Sequence, residues 1–201
     1  MAYHHGDART ALVAAAAEWL EEVGAASLSL RGVAERAGLS RQAPYNHFAD
    51  KEAMLAALVA NGFRRLAVEL RAAAADKTGA PALAAAGEAY IAFAQTTPAL
   101  FRLMFARELV EVANFADAAG ASADAFSVLS AVVATLCPTE QVEEVSLAAW
   151  CIVHGYATLC NEAGIELPAR RSERARQFTR IIVTSAAVGL DDGSTSMKEF
   201  Q

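Results

Sequence analysis

Apolar residues recur along this chain every three to four positions, and no long Val, Ile or Thr stretch alternates every second residue. That period predicts amphipathic helices throughout. Leu12, Ala15, Ala16, Trp19, Leu20 and Val23 form the buried stripe of a first helix from about Ala8 to Val23. Asp7 caps it, Gly24 closes it, and Glu18, Glu21 and Glu22 face water. Two glutamates near a helix C-terminus oppose the macrodipole, so packing must hold that end. The elements then shorten. Leu28, Leu30, Val33 and Ala34 predict a second helix from Leu30 to Ala37, capped by Ser29 and ended by Gly38. A third helix runs from about Arg41 to His47 behind Ser40, with Pro44 in its first turn, and Phe48 drops into the core beneath all three.

Asp50 opens a long fourth helix reaching roughly to Ala75, and DKTGAP, residues 76–81, is the clearest break in the chain. Further helices are expected over about Ala82–Gln95, from Thr97-Pro98 onward, over Ala118–Leu136, from Thr139 to about Glu162, and over Ser172–Val188. Ala106–Asn114 is ambiguous, and the polar tail from Asp191 to Gln201 frays. The expected fold is all-α.

Composition agrees, with 55% hydrophobic and 20% charged residues, alanine runs and 5 prolines in 201 residues. No apolar stretch reaches the roughly 18 uncharged residues of a membrane span, so no membrane partner is expected. The N-terminus lacks the basic start and apolar segment of a signal peptide. Cys137, Cys151 and Cys160 follow no metal or disulfide framework, which points to the cytoplasm, and no cofactor or metal is expected.

Charge changes the picture once it is divided. The net charge of −6 lies wholly beyond Leu66, where 10 basic residues face 16 acidic ones, while the chain through Arg65 balances 7 against 7. Between residues 27 and 51, Arg31, Arg36, Arg41 and Lys51 outnumber Glu35 and Asp50. Phosphate contact is therefore confined to this end. Two short helices joined by a Gly-containing turn form a helix-turn-helix, whose second helix meets the major groove. Arg41 and Gln42 stand at its N-terminal end, suited to guanine or phosphate and to adenine. Ala43 and Pro44 offer small apolar surfaces to a thymine methyl, and Tyr45, His47 and Lys51 reach phosphates, with Ser29, Arg31 and Ser40 completing the candidate DNA-binding set. The same residues would also suit a solvated helix whose Tyr and His merely pack.

The series SLSLRGVAERAGLS followed by APYNHFADKEAML closely resembles the DNA-binding domain of the tetracycline-repressor family of bacterial regulators. Ser29, Ala37, Gly38, Leu39, Ser40, Tyr45, His47, Phe48, Lys51 and Glu52 fit its pattern, whereas Gln42 and Pro44 depart from it. YHHGDAR near the start and Trp150, His154 and Gly155 resemble the subgroup with a Trp-His-Gly signature. The resemblance implies a ligand-responsive repressor acting as a homodimer on a near-palindromic double-stranded DNA operator. It also implies a helix-turn-helix domain at 1–52, a helical ligand-binding and dimerisation domain at 53–190, and a flexible tail at 191–201. Val142, Val145, Ala149, Val153, Ala157, Phe178, Ile181, Ile182 and Ser185 offer apolar and small surfaces for the dimer. Tyr90, Phe93, Phe101, Met104, Phe105, Phe126, Trp150 and His154 are the candidates for a largely apolar effector pocket. His154 reads first as a hydrogen-bonded histidine at a helix interface, with a pocket role as the alternative. A helical ligand- or partner-binding dimer without DNA is the alternative function. A third reading, an enzyme centred on His154 and the cysteines, finds no acid or oxyanion feature to complete it.

Overall fold

In the computed structural model of the chain, residues 5–162 and 171–187 are described. Eight α-helices make up almost all of them, with no strand among the described residues. Helix α1 spans His5–Ser27, α2 Leu30–Arg36, α3 Lys51–Ala74 and α4 Gly79–Thr96. Helix α5 spans Pro98–Phe105, α6 Ala116–Val133, α7 Val142–Asn161 and α8 Arg171–Ala187. The tail from Asp191, expected above to fray, lies outside the described residues.

Local signals explain most boundaries. The Ser29 hydroxyl accepts from the Gly32 amide at 3.2 Å and starts α2, and Asp50 Oδ1 accepts from the Ala53 amide at 2.8 Å and starts α3. Gly38, at φ 67°, ends α2 with two bonds, Gly38 N–H to Glu35 C=O and Leu39 N–H to Ala34 C=O. This paired closure needs a left-handed residue, which glycine supplies without strain. The first helix departs from expectation. Gly24 interrupts it at φ 76°, but the chain resumes a helical turn as far as Ser27.

The third helix of the expected bundle is not an α-helix. Ala43–Asn46 forms a 3₁₀ turn, entered through Gln42 without side-chain capping by Ser40. Pro44 has no amide hydrogen, so the bond that an α-helix would make from residue 44 to the Ser40 carbonyl does not exist. Ser40 C=O accepts instead from the Ala43 amide at 2.9 Å, and the tighter winding follows. Pro44 C=O then accepts from both His47 and Phe48, closing the turn.

Helix α3 is the spine. It packs chiefly on α6 and α4 and also meets α1 and α5. Gly62 allows the approach of α5, since a Cβ there would lie 2.7 Å from Met104 Sδ. One apolar core runs unbroken from Leu12, Leu20, Val33 and Phe48 through Met54 and Leu66 to Phe93, Leu103 and Val128. A smaller one, around Leu83, Val133, Ala149 and Ile182, fills the far end. Helix α6 has the length and mean hydropathy to cross a membrane. Here it lies against α3, with Arg64 paired to Asp117 and Arg71 to Asp124 along the contact.

Candidate DNA-binding surface and effector cavity

The recognition turn is built from the inside outward. Phe48 is buried beneath it, and Pro44 is buried too, so Pro44 fixes the turn and presents no surface to a base. Their burial leaves Arg41, Gln42 and Tyr45 exposed on one short segment, with Ala43 half-buried beside them. His47 is half-buried with its ring edge toward Phe48, centroids 6.5 Å apart. Ser29 is engaged as the cap of α2, while Arg31 stands in water on its first turn. Ser40 is exposed at the turn between the two elements. Lys51 spends one donor on the Ala26 carbonyl at 2.9 Å, leaving two for a phosphate and tying α3 to the end of α1.

Two features of this surface carried no motif signal. Arg9 on α1 places its guanidinium 5.5 Å from the centre of the Phe48 ring, adding a cation beside the recognition turn. Gly32 admits the Trp19 indole so closely that a Cβ would lie 2.3 Å from it, which sets the distance between α1 and α2. The first-helix glutamates, read as a solvated face, also have defined partners. Glu22 pairs with Arg36 on α2, and the Glu21 carboxylate accepts from two amides of α5.

Beyond the core, α3 to α8 enclose a cavity of about 70 Å³. Its wall is almost wholly apolar, and no charged side chain lines it among the described residues. Tyr90, Phe105, Phe126 and Trp150 line it as expected. Space comes from small residues that no aromatic count would mark, notably Ala86, Gly87, Ser122, Ala125 and Ala175. The other four expected residues sit elsewhere. Phe93 is fully buried with the Arg65 guanidinium 5.3 Å from its ring centre, and Phe101 and Met104 fill the core.

His154 stands behind the wall. Phe105, Phe101, Trp150 and Tyr90 surround its ring at centroid distances of 4.4, 5.3, 6.1 and 6.2 Å. The Trp150 indole N–H donates to the Tyr90 hydroxyl at 3.2 Å, so that hydroxyl is free to donate to His154 Nδ1 at 2.8 Å. Nε2 lies 3.5 Å from the Thr158 hydroxyl, completing a chain that suits a neutral imidazole. Burial pushes the His154 pKa down and the Tyr90 phenol up, so both stay uncharged at neutral pH.

The residues offered for a dimer surface divide. Ala149, Ala157 and Ile182 are buried inside this chain, and Val153 and Phe178 line the cavity. Val142 and Val145 pack on the smaller core, Ile181 is exposed, and the side chain of Ser185 lies outside those described. Periodicity marks an apolar stripe but not which neighbour covers it, and here α4 and the cavity cover most of it. The outward apolar residues of α7 include Leu147, Cys151 and Leu159, with Glu143, Glu144 and Ala148 also exposed on it.

A short winding turn that exposes polar groups beside a capped helix is the architecture of a helix-turn-helix DNA-binding protein. Comparison with known proteins agrees. Residues 12–58 match the family described as bacterial regulatory proteins, tetR family, and residues 83–184 match the tetracyclin repressor-like C-terminal domain. The chain belongs to the tetracycline-repressor family of transcriptional regulators. A protein of unknown function from Rhodococcus sp. RHA1 is 31% identical, with a TM-score of 0.78 over 92% of this chain and 98% of that one. A tetR-family regulatory protein from Rhodococcus RHA1 is 18% identical, with a TM-score of 0.67 over 89% and 96%. FadR from Bacillus subtilis, solved with stearoyl-CoA, is 14% identical, with a TM-score of 0.69 over 87% and 97%. No curated protein matches the chain in sequence.

Proposed function

We propose that this regulator is a cytoplasmic, ligand-responsive repressor that binds a near-palindromic operator as a homodimer. The exposed set Arg41, Gln42 and Tyr45, held by buried Pro44 and Phe48, is the observation that carries the DNA reading. Arg41 and Gln42 read base edges, while Tyr45, His47, Lys51 and Arg31 grip phosphates. Residues 1–52 form the DNA-binding unit and 53–190 the effector and dimerisation unit.

An effector enters the cavity behind Phe105 and Trp150. Its buried part is uncharged and apolar, because a carboxylate or phosphate there would meet no cation in the wall. FadR of Bacillus subtilis was solved with stearoyl-CoA, and the apolar wall here suits a hydrocarbon group, of small size in a cavity of about 70 Å³. Dimerisation uses the outward stripe Leu147, Cys151 and Leu159 of α7 with Ile181 of α8. A two-fold pair then sets two recognition turns roughly 34 Å apart, one turn of DNA.

Fluorescence anisotropy with the duplex upstream of its own gene tests the proposal. A sequence-specific complex with two chains per duplex is expected at modest salt. Equal affinity for scrambled duplex would overturn the operator reading. Sedimentation at the 21.1 kDa of one chain would overturn the dimer.

A further inference from the structure

Helix α5 has no cap of its own. Thr97 occupies the capping position, but its hydroxyl is turned back to the Phe93 carbonyl at 2.9 Å. Pro98 has no amide hydrogen, and the Phe101 amide bonds the Thr97 carbonyl, so the orphan amides of the first turn are those of Ala99 and Leu100. Both are taken by one side chain of α1, a helix that packs directly on α5. Glu21 Oε2 accepts from Ala99 N–H at 3.0 Å and Oε1 from Leu100 N–H at 2.9 Å. A carboxylate on backbone amides is a charge-assisted contact, about twice as strong as a neutral one.

Each partner in this contact is tied to a functional surface. Helix α5 carries Phe105, which walls the cavity, and Met104, which seats on Gly62 of the spine. Helix α1 carries Trp19, whose ring lies on Gly32 of α2, and Arg9, whose guanidinium lies over Phe48 beneath the recognition turn. At about 1.5 Å per residue, the eight residues of α5 form a rod about 12 Å long from the Glu21 contact to the cavity wall. Glu22, next in sequence, pairs instead with Arg36 and stays within the N-terminal helices.

We infer that Glu21 is the coupling contact of this regulator. Displacement of α5 by a filled cavity is passed through the two amide bonds to α1, and from α1 to the recognition turn. Glu21 is thus a positioning residue that touches neither DNA nor ligand. The inference rests on the repressor reading for its biological sense, but the contact itself is testable without it.

The test is a double-mutant cycle between Glu21→Ala and Phe105→Ala, read by operator affinity and by hydrogen exchange of the α1 amides. In the otherwise unchanged protein, Phe105→Ala should shift operator affinity by about fivefold or more, the low end of allosteric coupling, and should alter exchange in α1. In the Glu21→Ala background both responses should vanish. Glu22→Ala should leave both in place, and Glu21→Gln, with one acceptor lost, should fall between. Additive effects would overturn the inference, as would a Phe105→Ala protein whose α1 exchange is unchanged. If the unaltered protein binds no operator, the repressor reading fails, and the exchange measurement still decides on the contact. Thermal melts check folding, and Phe105→Leu replaces Phe105→Ala if the latter does not fold.

Discussion

At the recognition turn, the side chains proposed to meet DNA stand in water and the ones that hold them are buried: Arg41, Gln42 and Tyr45 outside, Pro44 and Phe48 within. Around the cavity the arrangement is inverted. The groups proposed to face an effector, among them the half-buried Phe105 and Trp150, turn inward to the cavity, and charged pairs such as Arg71–Asp124 sit on the outside. One site is made by local backbone signals acting over a few residues. The other is made by six helices that meet only after the chain has folded. A DNA surface can therefore be read from short patterns, while a cavity is a property of what fails to fill the space.

The comparison breaks most sharply at Gly32. A Cβ there would fall 2.3 Å from the Trp19 ring. Gly32→Ala should destabilise the N-terminal helices by about 2 kcal/mol, in the range for overpacking, and should abolish operator binding. Calorimetry beside anisotropy would check it, and an unchanged melt would show that Trp19 yields. Gln42→Ala attacks the same region through specificity, and should lose about 1–3 kcal/mol of discrimination at one base position with little loss on random duplex. Lys51→Ala should instead weaken all duplexes alike and lower the salt slope by about 1.

At the cavity the corresponding break is Tyr90→Phe. It strips a hydroxyl that satisfies both Trp150 Nε1 and His154 Nδ1, so two half-buried polar groups lose a partner. The expected cost is about 1–3 kcal/mol, seen in chemical denaturation, with DNA affinity per folded molecule unchanged. His154 adds a pH dependence. Burial holds its pKa below the ordinary 6.5, so the unfolded chain binds the proton more readily than the folded one. That stability is complete above pH 6.5 and is lost as the pH falls from there through the lowered folded value. Melting at pH 7.5 and 5.5 should show a drop that shrinks in His154→Gln; an equal drop would clear His154 as its source.

How much of this was legible follows the same division. Ser29, Gly38 and Asp50 act within three or four residues of their own positions, and each boundary fell where the sequence places it. The recognition element lies where the sequence places it but winds as a 3₁₀ turn, because Pro44 cannot donate the α-bond to the Ser40 carbonyl. Phe93, Phe101 and Met104 suit a ligand by size alone, but their burial rests on helices distant in sequence, such as the seating of Met104 on Gly62. Glu21 looked like one of three solvated acids. Only the fold brings it to amides 78 and 79 residues further on.

The smallest effect gives the cleanest separation between packing and propensity. Gly120 lies exposed inside α6, and a Cβ added to it would meet nothing within 4 Å. With no contact to strain, the substitution Gly120→Ala acts only through backbone freedom lost on folding, and glycine costs a helix interior about 1 kcal/mol relative to alanine. The variant should therefore be more stable by up to that amount, with operator and cavity behaviour unchanged. It is the same chemical change as Gly32→Ala with the opposite sign, since α6 offers solvent where α2 offers the edge of an indole. A loss of stability in Gly120→Ala would mean that something covers this face of α6, and a second copy of the chain would be the first candidate to test by sedimentation.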